Sequence, residues 1–192
     1  HDILKSEFPK DIDLVIHLAG LSGVRDSLDK PTDYWKTNVI GTQRLFEHYR
    51  DVRMIYASSS TAHEPWKNPY AMSKYSMEQL DHNNAVGMRF TTIYGPGARV
   101  NMLIPKILRN DIQYININHI RDFIHVNDIV SAVDIMMNNT FRGVVDVGTG
   151  ISNKLVDIVD YFKIDYKSVI GGETERIDNT ADTSILNKFG WR

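Results

Sequence analysis

Short apolar runs alternate along the chain with longer stretches whose apolar residues recur every three or four positions. Residues 13–19 form a continuous apolar run closing on Gly20, the pattern of a strand buried on both faces. Residues 31–49 open with Pro31 and carry Tyr34, Trp35, Val39, Leu45, Phe46 and Tyr49 at helical spacing. A second buried strand is predicted over 53–57, running into Ser58, Ser59 and Ser60. Asn68 followed by Pro69 reads as an N-cap and first helical residue, opening a helix to about His82. A third strand is expected over 87–93, before Tyr94-Gly95-Pro96-Gly97. Beyond it the pattern gives helices over 102–109, 128–137, 155–162 and 184–189, with strands at 113–117 and 144–147.

Strands alternate with helices, and the first three strands are short and apolar. The fold class that follows is α/β, with a Rossmann-like parallel sheet. Ligands of such sheets bind beyond the carboxyl ends of the strands. Those ends fall here at Leu18-Ala19-Gly20, at Ser58-Ser59-Ser60 and at residues 92–95. The chain is more polar and less regular after Pro96, so a small second lobe is expected there.

The chain's 192 residues suffice for one domain and a small lobe. The net charge of −2 is evenly mixed, so nucleic acid and membrane surfaces are not the expected partners. Without cysteine, disulfides and thiolate metal sites are excluded, and no metal is expected. No apolar run approaches a membrane span, and a cytoplasmic location is the default reading.

Tyr70 and Lys74 stand four apart on one predicted helix and share a face. A phenol is a poor base at neutral pH, but an ammonium beside it favours the phenolate. The pair can therefore take a proton from a hydroxyl. Taken alone, such a pair is a common surface accident. Ser60 at a strand end, placed before that helix, supplies the order that a catalytic site needs.

Five stretches in register then resemble the NAD-dependent epimerase/dehydratase family, the extended short-chain dehydrogenases: Ile16-His17-Leu18-Ala19-Gly20, Asn38-Val39-Ile40-Gly41-Thr42, Tyr56-Ala57-Ser58-Ser59-Ser60, Pro69-Tyr70-Ala71-Met72-Ser73-Lys74 and residues 121–128. Val147-Gly148-Thr149-Gly150 and Ala181-Asp182-Thr183-Ser184 add to it. The resemblance implies a cofactor domain over 1–95 and 122–147, and a substrate lobe over 96–121 and 148–192. It implies NAD as cofactor and a nucleotide sugar as substrate. Tyr70 matches the base, Lys74 the lysine that also holds the nicotinamide ribose, and Ser60 the hydroxyl that orients the sugar. Asp2, Ile3, Leu18, Ala19, Gly20, Asn38, Ala57, Ser58 and Phe90 complete the expected cofactor contacts. For Asn38 a plain polar tie inside the fold is the alternative. Thr92, Arg99, Asn101, Arg121 and Arg176 are the further expected substrate contacts. Arg121 would face the diphosphate, the alternative being a salt bridge to Asp122 or Asp128. Arg25 is a candidate partner for a sugar carboxylate, or a solvated arginine beside Asp26. Relatives often form homodimers through the helices matching 31–49 and 69–82.

The chain departs from the family in three places. Family members begin with a strand and a GxxGxxG loop, whereas this sequence starts at His1, after the point where that loop is expected. As given, the chain is therefore expected to be inactive. The stretch from Ser60 to Tyr70 is short and lacks the usual Val-Tyr-Gly. The chain also stops at Gly190-Trp191-Arg192, which the family follows with a further segment. Dehydratases of the family carry Asp-Glu where Thr61-Ala62 stand here, and decarboxylating relatives carry Glu at the position of Ala62. The expectation is thus epimerisation at C4 through a keto sugar. Dehydration, reduction and non-catalytic nucleotide binding are the alternatives.

Overall fold

The computed structural model describes residues 2–191. The first strand, β1 (Leu14–His17), leads through the short helix α1 (Val24–Asp29) into a continuous helical run. That run comprises α2 (Pro31–Tyr34), a π-helical stretch (Trp35–Ile40) and α3 (Gly41–His48). β2 (Arg53–Ser59) follows, and two 3-10 turns (Ser60–His63 and Pro65–Lys67) connect it to α4 (Pro69–Glu78). Next come β3 (Ala85–Phe90), β4 (Thr92–Tyr94), α5 (Leu103–Leu108), β5 (Tyr114–Asn116), β6 (Ile120–Arg121) and β7 (Phe123–His125). The chain ends with α6 (Val126–Met137), β8 (Gly143–Val147), β9 (Asn153–Lys154), α7 (Leu155–Tyr161), β10 (Lys167–Val169) and α8 (Ser184–Asn187).

β1, β2, β3 and β8 form one parallel sheet in the order β1-β2-β3-β8. Alternate side chains of a strand point to opposite faces, and β2 shows the consequence. Met54 and Tyr56 pack with Leu45, Phe46 and Tyr49 at the end of α3 and with Met77 of α4. Ile55 packs on the other face with Val86, Val145, Ala132 and Met136 of α6, and Leu186 of α8. Both faces of the sheet are thus covered by helices, which is why its strands read as continuous apolar runs. A separate cluster gathers Ile107, Ile115 and Val159 from α5, β5 and α7. Trp191 and Leu186 belong to the sheet's cluster, so the last turn of the chain packs on the first domain and not on the small cluster.

The short strands β6, β7, β9 and β10 have no counterpart in the sequence pattern, and three further elements differ from it. The stretch expected as one strand over 87–93 is split: β3 ends at Phe90, and β4 peels away to pair with β7. The Thr91 amide donates to Val147 O, while that of Thr92 donates to Asp122 O, so the chain changes partner within one step. The helix from Pro69 stops at Glu78 rather than His82, whose ring instead meets Tyr49 O at 3.0 Å. α1 had no signal in the apolar pattern, because Ser27 is its buried residue.

His17 gives this core a pH-sensitive point. Its ring is buried and meets Thr42 Oγ1 at 2.9 Å. Burial, and secondarily the charge of Lys74, lower its pKa to about 4. Between about pH 6.5 and 4 the unfolded chain binds this proton and the folded chain does not, so stability falls as pH falls. The slope from one such group is at most about 1.4 kcal/mol per pH unit. Urea unfolding at pH 6.5 and 4.5 should show a loss in wild type that is smaller by about 1–2 kcal/mol in His17→Gln. Equal losses would place the acid sensitivity elsewhere.

Candidate active site

The carboxyl ends of β1, β2 and β3 open into a cleft of about 380 Å³, closed on its far side by the segment from Ile93 to Arg99. Leu18, Gly20, Ala57, Ser58, Ser59, Tyr70, Lys74 and Phe90 reach it. The split between β3 and β4 creates this crevice, because the two strands part at Thr91.

α4 brings in the Tyr70–Lys74 pair. Asn68 caps the helix by accepting the Ala71 amide at 2.8 Å, and its Nδ2 donates to Thr174 O at 2.9 Å. Lys74 is buried, and its ammonium donates to Ala57 O at 2.7 Å. Burial lowers its pKa to about 8, against an opposing pull from Glu78. An ammonium has three donors, and one is spent on Ala57, which leaves donors for an oxygen in the cleft. The Tyr70 phenol is pushed up by burial, while a hydrogen bond with Ser59 and the charge of Arg99 pull it down. Arg99 is thus a cation acting on the phenol that the spacing of the pair did not indicate.

The hydroxyl beside Tyr70 belongs to Ser59, one residue before the one the family register selects. Ser59 Oγ also caps the first 3-10 turn, accepting from Thr61 Oγ1 at 3.0 Å and from the Thr61 amide at 3.3 Å. Ser60 is buried at the start of that turn and is not among the described residues lining the cleft. Its carbonyl accepts from Arg176 at 2.7 Å. β2 continues through Ser59 and the 3-10 turn begins at once, so the short connection to α4 sets which serine faces the cleft.

Asn38 lies in the π-helical stretch and is fully buried. Its Oδ1 accepts the Leu21 amide at 2.8 Å, and its Nδ2 donates to Leu21 O at 3.0 Å and to Ser73 Oγ at 2.9 Å. It therefore ties the turn after β1 to α4. A side chain at Gly20 would come within 3.0 Å of Asn38 Oδ1 and 3.4 Å of Lys74 Nζ. Bare backbone at this point keeps the mouth of the cleft open beside the lysine. Gly20, Lys74 and the apolar Leu18, Ala57 and Phe90 fit a flat cofactor ring held by one ammonium.

The other expected contacts lie apart. Asp2 is exposed and caps its own turn, accepting the Leu4 amide at 2.9 Å. Ile3 packs against Gly41 at the start of α3. Neither of them, nor Ala19, Thr92 or Asn101, is among the described lining residues. Arg121 donates to Ile120 O at 2.7 Å and Ile177 O at 2.9 Å, and lies 3.6 Å from Glu175. Its ion-pair partner is thus Glu175, neither Asp122 nor Asp128. Arg25 also meets Glu175 at 3.6 Å, and Arg176 approaches Glu64 at 3.9 Å. Arg99 alone of the four candidate arginines lines the cleft, with Nη1 3.1 Å from Ser22 Oγ.

Asp122, which no chemical argument singled out, is fully buried and joins three of the family-like stretches. Its carboxylate accepts from the Thr149 amide at 2.8 Å, Thr149 Oγ1 at 2.6 Å, the Gly150 amide at 2.9 Å and the Ala181 amide at 3.2 Å. A side chain at Gly148 would lie 2.4 Å from Asp122 Oδ2, so the close approach requires glycine there.

The profile of the NAD dependent epimerase/dehydratase family matches residues 2–148. An uncharacterized protein of Methanocaldococcus jannaschii is 32% identical over 162 residues, covering 69% of this chain and 50% of its own. The UDP-glucose 4-epimerase of Yersinia enterocolitica is 29% identical over 203 residues, covering 79% of this chain and 60% of its own. The chain spans about half the length of the first curated relatives it matches. Among solved structures, the UDP-N-acetylglucosamine 4-epimerase of Methanobrevibacter ruminantium, in complex with UDP-N-acetylmuramic acid, superposes with a TM-score of 0.85 at 26% identity, covering 100% of this chain and 76% of its own. MoeE5 in complex with UDP-glucuronic acid and NAD superposes with a TM-score of 0.79 at 29% identity, covering 92% of this chain and 73% of its own.

Proposed function

Because the chain belongs to the NAD dependent epimerase/dehydratase family, we propose that the full-length protein epimerises a nucleotide sugar at C4 through a keto sugar. One observation carries the choice of reaction. Tyr70, Ser59 and Lys74 share the cleft, while no described lining residue is acidic. Thr61 is turned onto Ser59, and Ala62 is buried. Dehydration needs a further acid and base on the sugar, and this wall does not supply them.

Held by Lys74 and the backbone at Gly20, NAD would supply the acceptor for a hydride from C4 and its return to the opposite face of the keto sugar. The chain's own residues do the rest. Tyr70 takes the hydroxyl proton and gives it back. Ser59 holds the same oxygen and shares the proton's hydrogen bond. Lys74 steadies the cofactor's ribose end with the donors that Ala57 leaves free. Arg99 lines the far side of the cleft, where a phosphate or carboxylate of the substrate would reach it. The lobe around α5, β5 and α7 is proposed as the substrate lobe. Trp35, Ile40, Met72 and Tyr75 remain exposed on the two helical segments expected to form a dimer seam, which supports a homodimer.

With a UDP-sugar and NAD, the full-length protein should yield the 4-epimer and no net NADH. Chromatography of the sugar nucleotide and absorbance of the cofactor check both. A 4-keto-6-deoxy product by mass spectrometry would turn the assignment to a dehydratase.

A further inference from the structure

Glu78 is the last residue of α4, four positions after Lys74, and its side chain is only 1% exposed. Burying a carboxylate is costly unless it is paired. Here Arg89 of β3 donates to it twice, Nε at 2.8 Å and Nη2 at 2.6 Å. The Ser58 hydroxyl donates to the same carboxylate. Arg89 lies 3.7 Å from Asp146 of β8, and His63 meets Asp146 at 2.9 Å. A line of charge therefore crosses under the cleft from α4 through β3 to β8. None of the steps proposed for the sugar uses it.

The contact with Ser58 gives this network a bearing on the cleft. Ser58 stands between Ala57, whose carbonyl takes the Lys74 proton donor, and Ser59, whose hydroxyl meets Tyr70. Glu78 thus grips the strand end that holds both partners of the pair, and it does so from the helix that carries the pair. We propose that Glu78 is a positioning residue, fixing residues 57–59 against Tyr70 and Lys74 and setting a carboxylate about one helical turn from the Lys74 ammonium. The catalytic half of this proposal rests on the epimerase reading above.

The charges around Lys74 are few. Its own helix contributes Tyr70 and Glu78, β1 contributes His17, and Arg99 lines the same cleft, while Tyr56 of β2 and Arg89 of β3, backed by Asp146 and His63, act on Glu78. His17 is held neutral by burial, and Arg89 is spent on Glu78 and Asp146. Glu78 is then the charge that opposes the burial of Lys74. Without it, the ammonium should be lost at lower pH.

Two measurements on the full-length protein separate the outcomes. The first is the titration of Lys74, followed through its side-chain carbon resonance in lysine-labelled protein and assigned with Lys74→Arg. The midpoint should fall by about one pH unit or more in Glu78→Gln. An unchanged midpoint overturns the proposal, and this holds whether or not the protein turns over a sugar. The second is the pH profile of turnover. In Glu78→Gln, kcat should drop about tenfold with KM within about threefold, and the alkaline limb should move down with Lys74. Glu78→Asp should bring the limb back. A lower kcat with an unmoved limb reduces Glu78 to a structural residue and overturns the electrostatic claim. If Glu78→Gln does not fold, Glu78→Asp and Ser58→Ala decide the placement. Ser58→Ala keeps the ion pair and cuts its link to the strand, so kcat should fall while the limb stays. Unchanged kcat there overturns the claim about residues 57–59. Wild-type protein that moves no hydride to NAD refutes the epimerase reading and leaves the Lys74 titration to decide this one.

Discussion

Tyr70→Phe in the full-length protein is expected to lower kcat by about 10²–10⁴, the usual contribution of a placed acid-base group, while nucleotide-sugar binding stays nearly intact. Phenylalanine keeps the ring, and with it the edge contact to Tyr34 at 6.0 Å between centroids, so the fold should survive. What is lost is the hydroxyl that meets Ser59. The same geometry separates two serines that the sequence alone does not. Ser59→Ala should cost kcat at least about tenfold, and Ser60→Ala should cost less, because Ser60 is buried outside the cleft. The reverse order would restore the register drawn from the family resemblance. In wild type the alkaline side of the profile should follow Lys74, whose ammonium is lost above about pH 8. Steady-state rates with calorimetric binding of the nucleotide sugar test these statements. Unchanged turnover in Tyr70→Phe would remove the base from the proposal.

The sheet was legible because its strands are buried on both faces and carry little but apolar residues, as in Met54-Ile55-Tyr56. The Asn68-Pro69 start of α4 was equally plain, since cap and first residue carry their own conformational preferences. The α/β class and the family follow from those features and from the order of the motifs. Local patterns could not show which serine faces the cleft, because that depends on where β2 yields to the 3-10 turn. Nor could they show that Arg25 and Arg121 meet on Glu175, a contact between segments far apart in the chain. Glu78 has a weak signal that could have found it: a carboxylate on the Tyr70–Lys74 face of α4, with Arg89 in the next strand.

Asp122→Ala should destabilise the chain by at least about 3 kcal/mol, since it strands the amides of Thr149, Gly150 and Ala181 in a buried site. Each unsatisfied buried donor costs about 1–3 kcal/mol, and removal of the side chain also opens a void under Gly148. Asp122→Asn should be nearly as harmful, although it keeps the shape. Oδ1 receives the Thr149 amide, and Oδ2 receives those of Gly150 and Ala181, so either orientation of a carboxamide points its NH2 at another N–H. Rotation of the Thr149 hydroxyl relieves one contact on Oδ1 but not the amide beside it. The damage should not stop at the turn. The Asp122 carbonyl accepts the Thr92 amide, and its own amide donates to Asn179 at 2.8 Å, so this residue fixes where β4 leaves β3 and the cleft opens. Urea unfolding should show a lower midpoint in both variants with an unchanged slope. An unfolding free energy of Asp122→Asn within about 0.5 kcal/mol of wild type would mean that water or a shifted loop satisfies these donors, and that the carboxylate is not what holds the three segments together.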